Sequence, residues 1–256
     1  MKPFAPRNSE KDRVPLLLLL PNIVTLSGMC LGLTSIRYAM DERFGFAVAL
    51  IFLAVLMDGL DGLLARRLRA TSNFGAELDS LSDFLCFGVA PGILMYKFML
   101  ESLNSLGWMF VLILAAASCL RLARFNVMRD AGADEEHAAD TKGKTHFVGV
   151  PAPAGALLAL LPLFAVQAGV LSPQTPVILV AIWLGFVAMM MVSSLKTISP
   201  KSLRIPRGLV LVLMLTVVVG IGFMFSQPWM LLVVVDLLYL MLLIHSIIKS
   251  RGRIFG

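Results

Sequence analysis

Charge is scarce in this chain, and so are the side chains that most often carry catalysis. Only 15% of the 256 residues are charged, and there are three histidines and three cysteines. Cys30, Cys86 and Cys119 fall within apolar stretches, and no pair has the spacing of a metal-binding motif. A thiolate centre is therefore excluded, and the three read as small packing residues. A small-residue cleavage pattern is also missing after the leading MKPFAPRNSEKDRVPLLLLLPN. Pro15 and Pro21 bracket the leucines too closely for a full span, so residues 1–20 are expected to form an uncleaved interfacial segment.

What is abundant is apolar surface: 58% of residues are hydrophobic, and the mean hydropathy is +0.87. Such a composition belongs to a polytopic membrane protein, all-α because spanning helices satisfy their own backbone groups. With about 20 apolar residues per span, about eight are placed, at roughly 22–40, 45–68, 76–99, 107–128, 148–168, 176–195, 208–226 and 229–248. The net charge of +6 does not gather into a nucleic-acid surface but alternates with the helix ends. If the amino terminus is cytoplasmic, only Arg37, Arg43 and Lys97 fall on the far side, so nucleic acid is excluded as a partner and the positive-inside rule is met. Both termini are expected in the cytoplasm, with the basic residues facing anionic membrane lipids.

Against this background four aspartates stand out, Asp58, Asp61, Asp79 and Asp83. One charged residue at the centre of a spanning helix costs roughly 2.5–3.5 kcal/mol, so four without partners cost on the order of 10 kcal/mol. Asp58, Asp61, Gly62, Ala65 and Arg66 follow a helical spacing that places them on one face, and Gly75, Asp79 and Asp83 do the same on the next helix. Folding the intervening RATSN as a turn brings Asp61 level with Asp79 and Asp58 level with Asp83, roughly 10 Å beneath the cytoplasmic surface. A set of oxygen ligands without histidine or thiolate suits a hard divalent cation, Mg²⁺ or Mn²⁺, and two such ions neutralise four acids. Gly62 and Ala65 leave the same face open to something larger than an ion, and Arg66 presents a fork suited to phosphate.

These residues match D-x2-D-G-x2-A-R-x8-G-x3-D-x3-D, and the stretch resembles the signature of the CDP-alcohol phosphotransferases at every fixed position. The resemblance implies a six-helix membrane core, usually dimeric, in which the aspartates hold two divalent metal ions on the diphosphate of a CDP-linked donor. It also implies that Asp83 takes the proton of the acceptor alcohol, and that Pro21, Asn22 and Thr25 border the nucleotide while Ser72 contacts the donor phosphate. Gly62, Ala65, Arg66 and Gly75 complete the donor side. The expected division is a 1–20 amino-terminal segment, a 21–195 catalytic core, additional helices over 196–248 and a basic tail at 249–256.

Within that family LPNIVTLSG, SCLRLARFNV and FVGVPAPAGA are similar to stretches of the bacterial integral-membrane phosphatidylserine synthases. The implied reaction joins CDP-diacylglycerol and L-serine at the inner membrane of the cell, with the active site cytoplasmic and the protein a homodimer. Arg121 and Arg124, three apart on one helix, with Asn126 close by, suit an acceptor carboxylate. They suit the phosphate of glycerol phosphate or inositol phosphate equally well. A divalent-cation transporter would also place acids inside a bundle, but it would be expected to show a second, matching copy, and none is found. Arg129 reads as an interfacial anchor, residues 129–146 as a polar lid or connector, and Asp236 as an intramembrane acid without a named partner.

Overall fold

The computed structural model describes residues 16–135, 147–148, 150–193, 196–197, 215, 219–220 and 222–249. Its helices are apolar on nearly all sides, as expected of rods that face lipid outward and one another inward. The first, α1 (Leu16–Met40), turns at Asp41–Arg43 into α2 (Phe44–Arg67). Next comes a rod in three parts: α3 (Asn73–Asp83), a π-helical stretch (Phe84–Val89) and α4 (Ala90–Phe98). A 3₁₀ turn at Leu100–Leu103 leads to α5 (Ser105–Glu135), followed by α6 (Ala152–Gln167), α7 (Val177–Val192) and α8 (Pro228–Lys249). A short antiparallel pair, Phe147–Val148 with Lys196–Thr197, ties the start of α6 to the end of α7. Seven of the expected spans thus have a helix, while most of 208–226 lies outside the described residues.

Two expectations need correction. Pro21 does not open the first helix: α1 runs through it from Leu16, so Leu16–Leu20 belong to the span rather than to a separate interfacial piece. The missing Pro21 N–H costs one hydrogen bond, which a long apolar helix tolerates when neighbouring helices hold it. The polar stretch beginning at 129 is also partly helical, because α5 continues to Glu135. Whether the remainder forms a lid lies outside the described residues.

Among the described residues five helices, including the whole 73–98 rod, are long and apolar enough to cross a membrane. α6 and α7, 16 residues each, are shorter. At 1.5 Å per residue they fall a little short of a hydrocarbon core of about 30 Å; most of α6 is buried, whereas α7 keeps Ile178, Leu179, Ile182, Phe186 and Met189 exposed on one face. Core residues such as Ile51, Leu94, Leu114, Leu158, Leu184 and Val233 join α2, α4, α5, α6, α7 and α8. A smaller cluster joins Ala54, Cys86, Phe87, Leu122, Ala152 and Ala156.

Small residues let the rods approach closely, as they do where lipid offers no hydrophobic drive between helices. A Cβ on Gly32 would sit 2.6 Å from Cys86 Sγ, and one on Gly88 would sit 2.8 Å from Ser118. The π-helical stretch begins directly after Asp83 and ends just before Pro91, whose ring and missing N–H disturb the helical ladder one turn upstream.

Candidate active site

The reversal between α2 and α3 is built by local chemistry. Ala70 N–H donates to Ala65 O and Arg69 N–H to Arg66 O, with Arg69 left-handed at φ 52°, which is the double closure that ends a helix sharply. Ser72 is extended, and its hydroxyl accepts from Gly75 N–H at 3.0 Å, capping α3. A Cβ on Gly75 would lie 2.9 Å from Asn22 Oδ1, so glycine there lets α3 press against α1.

α1 is the post to which both acid-bearing helices are fixed. Thr25 Oγ1 donates to Asp61 Oδ2 at 2.5 Å while remaining 3.1 Å from Pro21 O. From the other side Ser82 Oγ donates to Thr25 O at 3.3 Å, and the Cys86 thiol donates to Gly28 O at 3.3 Å. The result is the convergence expected from spacing. One ligand oxygen each from Asp58, Asp61 and Asp79 lies within 4.8 Å of the other two. Asp83 stands outside that trio, close against Asp58 and within electrostatic reach of Arg121.

Two cavities meet at the acids. A small one of about 10 Å³ touches all four aspartates together with Thr25, Gly28 and Ser82, which is room for one water-sized sphere. The larger, about 440 Å³, is lined by Asp61 and Asp79 and by every expected donor-side residue: Pro21, Asn22, Thr25, Gly62, Ala65, Arg66, Ser72 and Gly75. The donor set fits a hard divalent cation on chemical grounds. It is all carboxylate oxygen, and oxygens up to 4.8 Å apart need contract only slightly to share an ion at metal–oxygen distances of about 2.0–2.6 Å.

α5 runs antiparallel along the acid-bearing rod, and a ladder of contacts records its register. Arg129 meets Glu77 at 3.7 Å, Ser80 Oγ donates to Asn126 Oδ1 at 3.1 Å, Arg121 lies within electrostatic reach of Asp83, and Ser118 packs on Gly88. Two of the expected acceptor residues therefore come toward the acids, Arg121 within electrostatic reach of Asp83 and Asn126 through the turn of Ser80. Arg124 departs from its expected partnership: its Nη1 donates to Val192 O at 2.9 Å, at the end of α7, where a cation meets the last carbonyls of a helix.

Arg129 was misread as an interfacial anchor, since it lines the larger cavity. A signal was available, because Arg121 and Arg129 are eight apart and share one helix face. Thr71 and Asn73 also line this cavity without any motif marking them.

Residues 18–193 match the family model for CDP-alcohol phosphatidyltransferase. The chain belongs to that family and is a multi-pass membrane enzyme, a transferase. It is 36% identical over 224 residues to a Mycobacterium leprae protein named CDP-diacylglycerol--serine O-phosphatidyltransferase, covering 87% of this chain and 72% of the relative. Proteins of the same name from Helicobacter pylori and Bacillus subtilis are 37% identical over 145 residues and 34% over 143. The first match covers 57% of both chains, and the second covers 56% of this chain and 74% of the relative.

One prediction concerns the cap. Ser72→Asp keeps a good N-cap but brings negative charge to the wall of the larger cavity, so thermal stability should hold while the apparent KM for a donor expected there rises. Ser72→Ala should instead lose about 0.5–2 kcal/mol of stability. Thermal unfolding in detergent, set beside donor titration, separates the two effects.

Proposed function

We propose that the protein transfers the phosphatidyl group of CDP-diacylglycerol to the hydroxyl of L-serine, giving phosphatidylserine and CMP. The observation that carries this reading is the convergence of four acids from two helices around a small cavity that meets a larger one of about 440 Å³, itself lined by Asp61 and Asp79, with Arg121 within electrostatic reach of Asp83. The choice of serine is supported by the names of the relatives and by that arginine, whose planar fork suits a carboxylate.

Asp58, Asp61 and Asp79 would hold the cations, Mg²⁺ or Mn²⁺, with Asp83 beside them serving a second ion. Bound there, the cations supply charge neutralisation for the diphosphate and for the departing CMP. The chain's own groups do the positioning. Thr25 fixes the Asp61 carboxylate, the open face at Gly62 and Ala65 admits the nucleotide, and Arg66 and Arg129 face its phosphates. Asp83 accepts the serine hydroxyl proton as the oxygen forms its bond to the lipid-side phosphorus and the bond from that phosphorus to the CMP oxygen breaks. A carboxylate near cations is a weak base, so much of the rate comes from positioning. Residues 21–195 form the catalytic core of this reading, working as a homodimer at the inner membrane with the cavity open to the cytoplasm.

Purified protein given labelled CDP-diacylglycerol should release CMP when serine is present. Release should stop with EDTA and return with added Mg²⁺ or Mn²⁺. Release supported by glycerol phosphate or inositol phosphate but not by serine would move the reaction to another acceptor.

A further inference from the structure

Four buried polar atoms find no hydrogen-bond partner among the described residues: Ser118 Oγ, Arg121 Nε, Asp236 Oδ2 and Tyr239 Oη. Two of them belong to α8, which lies beyond the family match at 18–193. They are not on its lipid side. Val234, Val235, Leu237, Leu238, Met241 and Leu242 are exposed, whereas Val233, Asp236 and Leu243 are buried and Tyr239 packs on the core beside Leu232 and Leu240. Asp236 is only 3% exposed.

The position of α8 brings this inward stripe to the active site. Trp229, at its start, meets Phe164 near the end of α6, with ring centroids 6.3 Å apart. α8 also touches Lys196–Thr197, the strand paired with the residues preceding α6. The two helices are therefore antiparallel, and equal rise along each brings Tyr239 level with Ala154. Ala152 and Ala156, on either side of that level, pack in one cluster with Leu122, the neighbour of Arg121, and with Ala54, Cys86 and Phe87, which line the small cavity at the acids. Tyr239 and Arg121 accordingly lie within electrostatic reach of each other, and Arg121 within reach of Asp83.

Two buried donors and a buried carboxyl oxygen, none with a hydrogen-bond partner among the described residues, leave this region chemically incomplete. We propose that α8 completes an amino-acid acceptor subsite, in which Arg121 and the Tyr239 hydroxyl hold the acceptor's carboxylate and Asp236, one turn deeper on the same face, holds its ammonium group. The assignment rests on the serine reaction proposed above and extends it. The hydroxyl of an amino acid held at both charged ends is left toward Asp83. Asp236 also acts against the rival acceptors, because glycerol phosphate and inositol phosphate bring anionic groups and no cation to a buried carboxylate.

The test uses the full chain in detergent, with Asp236→Asn and Tyr239→Phe, each close in shape to the residue it replaces. Each should raise the apparent KM for serine, by about ten-fold for Asp236→Asn and somewhat less for Tyr239→Phe, with kcat and the donor KM within about two-fold. As competitors of serine, 3-hydroxypropionate lacks the ammonium group and ethanolamine lacks the carboxylate. Serine's advantage over 3-hydroxypropionate should shrink in Asp236→Asn, and its advantage over ethanolamine should shrink in Tyr239→Phe.

A readout independent of turnover is the rise in thermal unfolding temperature on adding serine, which should diminish in both variants while the serine-free temperature holds. An unchanged serine KM in either variant overturns the assignment. So does a parallel loss of donor affinity and serine-free stability, which marks a structural role. Absence of serine-dependent CMP release from the unaltered protein would instead strike the reaction itself.

Discussion

Asp83→Asn should lower turnover by about 10²- to 10⁴-fold, the usual contribution of a positioned general base, while the protein continues to bind metal and CDP-diacylglycerol. The three carboxylates that gather to within 4.8 Å are those of Asp58, Asp61 and Asp79, and Asp83 is not among them. It lies against Asp58 on one side and within reach of Arg121 on the other, at the seam between the acids and the proposed acceptor pocket. Asparagine preserves its shape and one oxygen, so packing against the π-helical stretch should survive, but the amide cannot take the hydroxyl proton. Asp58→Asn should behave differently, weakening metal and donor binding together because it removes a member of the trio. Isothermal titration with CDP-diacylglycerol in the presence of Mg²⁺ distinguishes the two. If Asp83→Asn is the variant that loses the donor and Asp58→Asn the one that keeps it, the roles assigned to them are exchanged.

How much of this arrangement was legible in the chain follows from what each residue is free to do. The aspartates have short side chains on regular helices, so spacing alone determines their face, and the cost of burying four unpaired acids leaves few arrangements other than convergence. The open face at Gly62 and Ala65 was readable for the same reason, since a missing side chain needs no rotamer.

Arginines are another matter. Arg121, Arg124 and Arg129 each have a long flexible stem, and helical spacing places the stem without saying where the fork will go. Tertiary packing decided it: the end of α7 came within reach of Arg124, and Glu77 and the larger cavity within reach of Arg129. Pro21 misled because proline is a strong local signal for a helix start, whereas a bundle can absorb one missing hydrogen bond inside a span. The approach of α8 to the acid site was invisible for a simpler reason. Tyr239 and Arg121 are 118 positions apart, and only the packing of α8 along α6 brings them together.

Gly62→Leu should abolish measurable donor binding and leave the fold intact. A Cβ built on Gly62 meets nothing within 4 Å, although the residue sits among Asp61, Ala65 and Arg66 on the wall of the larger cavity. The added side chain therefore clashes with no protein atom at its root and projects into the space proposed for the nucleotide. It also places apolar bulk beside the carboxylates proposed to hold the cations, which raises the cost of any pose that remains. Gly75 supplies the contrast, because a Cβ there would press on Asn22 Oδ1 at 2.9 Å and on Ser72 Oγ at 3.2 Å. Gly75→Ala should accordingly lower the unfolding temperature by disturbing the α1–α3 contact and the cap, whereas Gly62→Leu should not. The expected loss for Gly62→Leu is a hundred-fold or more in donor affinity, or about 2.7 kcal/mol. Thermal unfolding without ligand should match that of the unaltered protein. A folded Gly62→Leu protein that binds CDP-diacylglycerol normally would place the nucleotide outside the cavity between α1, α2 and α3, and with it the donor roles given to Arg66, Ser72 and Arg129.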